Sequence, residues 1–156
     1  MRQRPIAEVR TWIYLLRVVT KIGRRLAAQL EQHDLTPAQF DVLVQLQRTP
    51  HILQQQLADQ MLVSKGNVVG LLNRMEHAGL VKRQAHPEDG RAYLLCLTER
   101  GATLAAQVIP EHEALVAEYL ALLPPEGRRS LHDALRRLNH ALGQEYFFCL
   151  TSLYIN

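Results

Sequence analysis

Val63-Ser64-Lys65-Gly66-Asn67-Val68-Val69-Gly70-Leu71-Leu72-Asn73-Arg74-Met75, taken with its flanks, decides the fold. The Ser64 hydroxyl can accept an unpaired N–H of a first helical turn, and Val63 before it can staple onto Val68. The spacing predicts a helix from there. Val68, Leu71, Leu72 and Met75 recur at three- and four-residue steps and define one buried face. Gly66, Asn67, Gly70, Asn73, Arg74 and His77 fall on a polar, donor-rich face opposite. Gly79 stands where a left-handed residue would end the helix, with Leu80 as its hydrophobic partner.

Downstream, Leu80 to His86 and Arg91 to Leu97 are two extended runs joined by Pro87-Glu88-Asp89-Gly90, where Pro suits an early turn position and Asp-Gly supplies positive φ. Upstream, Gln54 to Gln60 carries Leu57, Ala58 and Met61 at helical spacing, only Leu62 and Val63 before Ser64. Helix, tight turn, helix and two-stranded wing make a winged helix-turn-helix, whose second helix suits a major groove about 12 Å wide.

Further upstream, Leu35-Thr36-Pro37-Ala38-Gln39-Phe40 combines an N-cap (Thr36), Pro at the first helical position, a capping-box Gln39 and a Leu35–Phe40 staple. That helix runs through Leu43 and Leu46 and stops near Thr49-Pro50. From Pro5 to His33, Ile6, Val9, Ile13 and Leu16 trace one apolar stripe; Trp12, Leu15, Val19, Ile22, Leu26 and Leu30 trace another. One long helix serving two neighbours is implied, part of it an oligomer interface. Gly23 interrupts it at small cost, tolerable where another backbone passes close. After the wing, Thr98 caps a helix through Leu104, Val108, Leu115, Tyr119 and Leu122 that Pro110 should bend. Pro124-Pro125 turns the chain into a last helix carrying Leu131, Leu135, Leu138, Leu142 and Phe147. The apolar tail Tyr146 to Leu150 is best explained by docking on another helix or subunit.

At 156 residues and 47% apolar, the chain can bury a real core. No apolar run reaches membrane-spanning length and no signal-peptide pattern opens the chain, so a cytoplasmic location without a membrane role is the expectation. Cys96 and Cys149 lack metal-type spacing and read as small buried residues. The net charge of +3 permits a polyanionic partner without demanding one. Lys65, Arg74, Lys82, Arg83 and Arg91 are partly offset by Glu76, Glu88 and Asp89, so affinity for DNA would rest on a few well-placed contacts and on two copies acting together.

Together these stretches resemble the MarR family of bacterial transcriptional regulators: Leu-Thr-Pro-x-Gln-Phe at 35–40, Leu57-Ala58, Val63-Ser64-Lys65-Gly66-Asn67-Val68, Asn73-Arg74-Met75-Glu76-x-x-Gly79-Leu80-Val81-x-Arg83, Asp89-Gly90-Arg91 and Leu97-Thr98-x-x-Gly101. The resemblance implies a homodimer with interleaved first and last helices, a pseudo-palindromic operator in double-stranded DNA, and release by a small-molecule effector. It implies that Ser64, Lys65, Gly66 and Asn67 begin the recognition helix, that Arg74 faces phosphate, and that Arg91 enters a minor groove with Asp89 holding it. Leu62 stands where the family's turn often has glycine, Gln54 where Thr or Ser is usual, and Val69 and Gly70 replace more polar residues.

Physical roles accompany each position. Asn67 either presents its amide to adenine or bonds its own helix start. Lys65 can reach guanine or a phosphate, and Val69 a thymine methyl. Gly66 and Gly70 leave room for close backbone approach; Asn73 and Arg74 share the outward face, Arg74 as phosphate clamp or solvated charge. Arg91 beside a glycine turn suits a narrow minor groove. Trp12, Arg17, Arg48 and His51 lie on elements that should meet at a ligand pocket. His33, His51, His86 and His112 form no ligand-spaced pair, so no metal or other cofactor is implied. No nucleophile–base pattern or phosphate loop argues for an enzyme.

The expected fold is mainly α with a small β wing: a winged helix-turn-helix DNA-binding lobe over 35–98 and a helical dimerisation lobe from 1–34 and 99–156. The expected function is a dimeric sequence-specific DNA-binding repressor released by a small aromatic or anionic ligand. A winged-helix protein-interaction or scaffolding module without specific DNA binding is the alternative.

Overall fold

The computed structural model describes residues 6–61, 65–89 and 92–142, with 65–67 described as backbone. Among the described residues, six helices and a small sheet follow in chain order: α1 (Ala7–Glu31), α2 (Pro37–Arg48), β1 (Ile52–Leu53), α3 (Gln54–Gln60), α4 (Lys65–His77), β2 (Val81–Ala85), β3 (Tyr93–Leu97), α5 (Glu99–Leu120) and α6 (Pro125–Ala141). Fold class is as expected, mainly helical with a winged helix-turn-helix.

Local chemistry sets the boundaries. The Gln39 N–H donates to Thr36 Oγ1 (3.3 Å) while the Thr36 N–H donates to Gln39 Oε1 (2.8 Å), closing the capping box at the start of α2. Gly79 has φ +68°, and two bonds, Leu80 N–H to Met75 carbonyl and Gly79 N–H to Glu76 carbonyl, both 2.9 Å, close the end of α4 as a Schellman turn. α3 has no side-chain cap; instead Gln56 Oε1 accepts from the Leu53 N–H at 3.3 Å.

The wing differs from the expected two-stranded hairpin. β1 pairs antiparallel with β3 through Ile52↔Leu95 and Leu53↔Leu94, giving a three-stranded sheet in the order β1-β3-β2. A two-residue strand is too short to show any alternation, and only the edge of β3 organises it. β2 and β3 run in register from Val81↔Leu97 to Ala85↔Tyr93, shorter than the two runs expected, and His86 and Ala92 close the turn.

Among the described residues one hydrophobic core joins α1 through α5 and the sheet. Phe40, Val42, Leu43 and Leu46 of α2 meet Leu57 of α3, Leu71, Leu72 and Met75 of α4, and Leu95 of β3. The same cluster takes in Leu30 of α1 and Ala105, Val108 and Ile109 of α5, so it runs past both ends of the 35–98 stretch. Beyond that, α1 buries only Leu26 and Leu30, and α6 buries nothing. Apart from its own helix backbone, no described atom comes within 4 Å of a Cβ built at Gly23, so no other backbone passes close there. Pro110 sits inside α5 as a single continuous helix. No helix among the described residues is long and apolar enough to cross a membrane.

Candidate nucleic-acid interface

α4 has two opposite faces. Val68, Leu71, Leu72 and Met75 are buried, whereas Val69, Asn73, Arg74 and His77 are exposed and Gly70 lies between them. Side chains on a helix lean toward its N-terminus, and Arg74 does so: its Nη1 lies 3.6 Å from where a Cβ on Gly70 would stand. The bare glycine gives the guanidinium a seat on the outward surface. Lys65, Gly66 and Asn67 form the first turn of this helix. The expected Ser64 cap, the Val63 staple and Leu62 lie outside the described residues, as do Gly90 and Arg91 of the wing tip. Asp89 is exposed at that tip, and its carbonyl accepts from the Ala92 N–H at 3.0 Å.

Sequence reasoning counted Arg83 as one charge among several; the structure gives it a structural task. Its Nε donates to Gln54 Oε1 of α3 (3.0 Å), its Nη2 to Asn73 Oδ1 of α4 (2.8 Å), and its Nη1 to Glu76 Oε2 of α4. One planar fork on β2 thus fixes both helices of the motif to the wing. Gln54, which replaces the usual Thr or Ser, is one of its acceptors. The available signal was period-two alternation: Val81 and Arg83 share the inward face of β2.

A second joint ties α4 to α5. Thr98 caps α5 by accepting from the Gly101 N–H (3.0 Å), and its hydroxyl donates to the Gly79 carbonyl (2.6 Å). Arg100 Nη1 donates to the Ala78 carbonyl (2.8 Å), where a cation suits the negative end of α4. A Cβ at Gly101 would run into the Leu80 carbonyl, so only glycine permits this approach.

Above that joint α5 meets α1 and α2. His33 Nε2 lies 2.7 Å from Glu111 Oε2 and, by hydrogen bonding, holds that carboxyl below its ordinary range. Gln29 Nε2 also donates to Glu111 (3.4 Å), which turns Gln29 Oε1 toward His112 Nδ1 at 3.1 Å. His112 is buried with its ring 4.3 Å from that of Phe40, and burial pushes its pKa down.

The four residues expected at a ligand pocket are spread over separate elements of the chain. Trp12, 57% exposed, and Arg17 lie on the uncovered part of α1, and Arg48 is exposed at the end of α2. His51, at φ +63°, places Nδ1 3.1 Å from the buried Cys96 Sγ. A cavity of about 560 Å³ opens elsewhere, between His33, Leu35, Gln39, Leu80, Arg100 and Gln107. Among the described residues no cluster of three potential metal ligands occurs. Cys149 lies outside the described residues.

Residues 33–92 match the family model described as the MarR family. The transcriptional regulator HosA of Escherichia coli O111:H- is 31% identical over 113 residues, 72% of this chain and 84% of that protein. The chain belongs to the MarR family. Among solved MarR-family structures, AbsC from Streptomyces coelicolor is 29% identical with a TM-score of 0.80, covering 91% of this chain and 98% of its own. A mutant MarR from Escherichia coli complexed with operator DNA is 27% identical with a TM-score of 0.74, covering 87% of this chain and 99% of its own. The chain is therefore a MarR-family transcriptional regulator with the family's winged-helix fold.

Proposed function

We propose that this MarR-family chain works as a homodimer that binds a pseudo-palindromic operator in double-stranded DNA and represses transcription until a small aromatic or anionic ligand releases it. The observation that carries the reading is α4: a helix packed on one face and bare on the other, beside a wing, with Asn73 and Arg74 outward. The MarR structure with operator DNA shares this fold and lends support. On this reading Ser64, Lys65, Gly66, Asn67, Val69, Gly70, Asn73 and Arg74 enter a major groove, and Asp89 with Arg91 follow the minor groove.

Dimerisation is supported by the apolar surface left over. Val9, Trp12, Ile13, Leu16 and Val19 on α1 and Leu131, Leu135, Leu138 and Leu142 at α6 are exposed within one chain, a surface that a second copy would cover. Residues 35–98 then read DNA while 1–34 and 99–156 hold the two copies together. Ligand would change the separation of the two α4 helices from the roughly 34 Å of one DNA turn. The rigid joint at Leu80 and Gly101 carries that movement from α5 to α4. Trp12, Arg17, Arg48 and His51 are proposed to line the ligand site where the partner's helices complete it.

Fluorescence anisotropy on the chain's own upstream intergenic duplex tests the reading. Affinity should fall with salt at a slope of about 0.9 per phosphate neutralised, and Arg91→Ala should reduce that slope by about one unit. A flat salt response would sink it and favour a protein-association module.

A further inference from the structure

Arg83 uses its fork on two side-chain amides, and the chemistry of that contact fixes which end of each amide is left over. A guanidinium has only donors, so Asn73 and Gln54 must each turn their oxygen toward it. Asn73 Oδ1 sits 2.8 Å from Nη2 and Gln54 Oε1 3.0 Å from Nε. Glu76 takes Nη1, and the Arg83 side chain is 17% exposed, so the fork is held from three sides. Asn73 is itself exposed, three residues after Gly70 and four before His77 on the outward stripe. Its NH2 end is what it has to offer a duplex.

We propose that Arg83 is a positioning residue for DNA recognition, locking Asn73 so that it acts on the duplex as a hydrogen-bond donor only. The inference rests on the DNA-binding reading above. A free asparagine can pair bidentately with adenine, giving and accepting at once; in the locked one the oxygen is held toward Arg83, so the NH2 is the end turned to a duplex. Asn73 therefore selects an acceptor, either on a base edge such as guanine O6 or N7, or on a phosphate oxygen.

Parallel selections from a random double-stranded 24-base-pair pool, with affinities then measured on the enriched duplexes, test this. Wild type, Asn73→Ala, Arg83→Gln and the double variant form a cycle, with Arg83→Lys as a variant that keeps the charge and loses the planar fork. Asn73→Ala should cost on the order of tenfold in affinity. If the contact is to a base edge, the loss appears at one symmetric pair of positions; if to phosphate, it is equal on every duplex. In either case Arg83→Gln and Arg83→Lys should reproduce the Asn73→Ala pattern, and the double variant should lose less than the product of the single losses. A merely structural Arg83 would blur preference at all positions alike and give multiplicative losses, which overturns the proposal. An Asn73→Ala variant indistinguishable from wild type overturns it as well. Should Arg83→Gln not fold, Arg83→Lys and Asn73→Ala decide the matter by the same comparison. A wild-type protein that enriches no duplex removes the DNA-binding reading itself, an outcome distinct from enrichment without an Asn73 effect.

Discussion

Phe40, Val42 and Leu43 of α2 and Leu131, Leu135 and Leu138 of α6 are all apolar residues on helices, and they meet opposite fates. The first three are 0% exposed, in the centre of the core; the second three are 39%, 41% and 53% exposed. The winged region closes on itself because α2, α3, α4, β3 and the first half of α5 surround one another. The arms, α6 and the first half of α1, have apolar stripes left uncovered among the described residues. A stripe buried by its own chain supports folding, and a stripe left bare supports association.

The sharpest way to break that contrast is to charge the bare stripe. If the chain is the homodimer proposed above, Leu135→Glu with Leu138→Glu should turn it into a monomer by sedimentation velocity while the helical circular dichroism of the winged region persists; a dimer left unchanged would place the interface elsewhere. Next in size is the joint between the two regions. Gly101→Ala forces a methyl group into the Leu80 carbonyl and should cost about 3 kcal/mol in urea denaturation. A cost near zero would mean that the joint yields, and that α5 does not drive α4 rigidly.

The smallest effect concerns pH at the same boundary. Burial lowers the His112 pKa from its ordinary 6.5, so the unfolded chain takes up the proton first as pH falls. Stability is then full above about 6.5 and declines below it. Thermal midpoints measured across that range should drop with acidification in the wild type and drop less in His112→Gln. Equal slopes would remove His112 as the cause. Glu111, also shifted down but by its hydrogen bond to His33, contributes fully above the ordinary carboxylate range and loses that contribution as pH falls through it.

Much of the fold was legible because its signals are short. The Thr36 capping box, the Gly79 helix stop, the Thr98 cap and the buried face of α4 each involve residues within a few positions of one another. β1 escaped notice because two residues carry no period, and the core's reach into Leu30 and Ile109 depends on which helices meet. The alternation of β2 turns Arg83 inward, but its fork reaches Gln54, 29 residues away in the chain, so no local pattern names its partners. His51 beside Cys96, 45 residues away, is equally nonlocal.

By itself, then, the sequence determined where helices begin and end, which side of each is apolar, and that a helix-turn-helix with a wing lies at the centre, because those properties follow from backbone capping and residue spacing. Tertiary structure decided which apolar sides are covered and which stay bare, that Arg83 holds Gln54, Asn73 and Glu76 together, and that α5 is locked to the end of α4. Those outcomes depend on distances between elements far apart in the chain, which periodicity along the chain cannot encode.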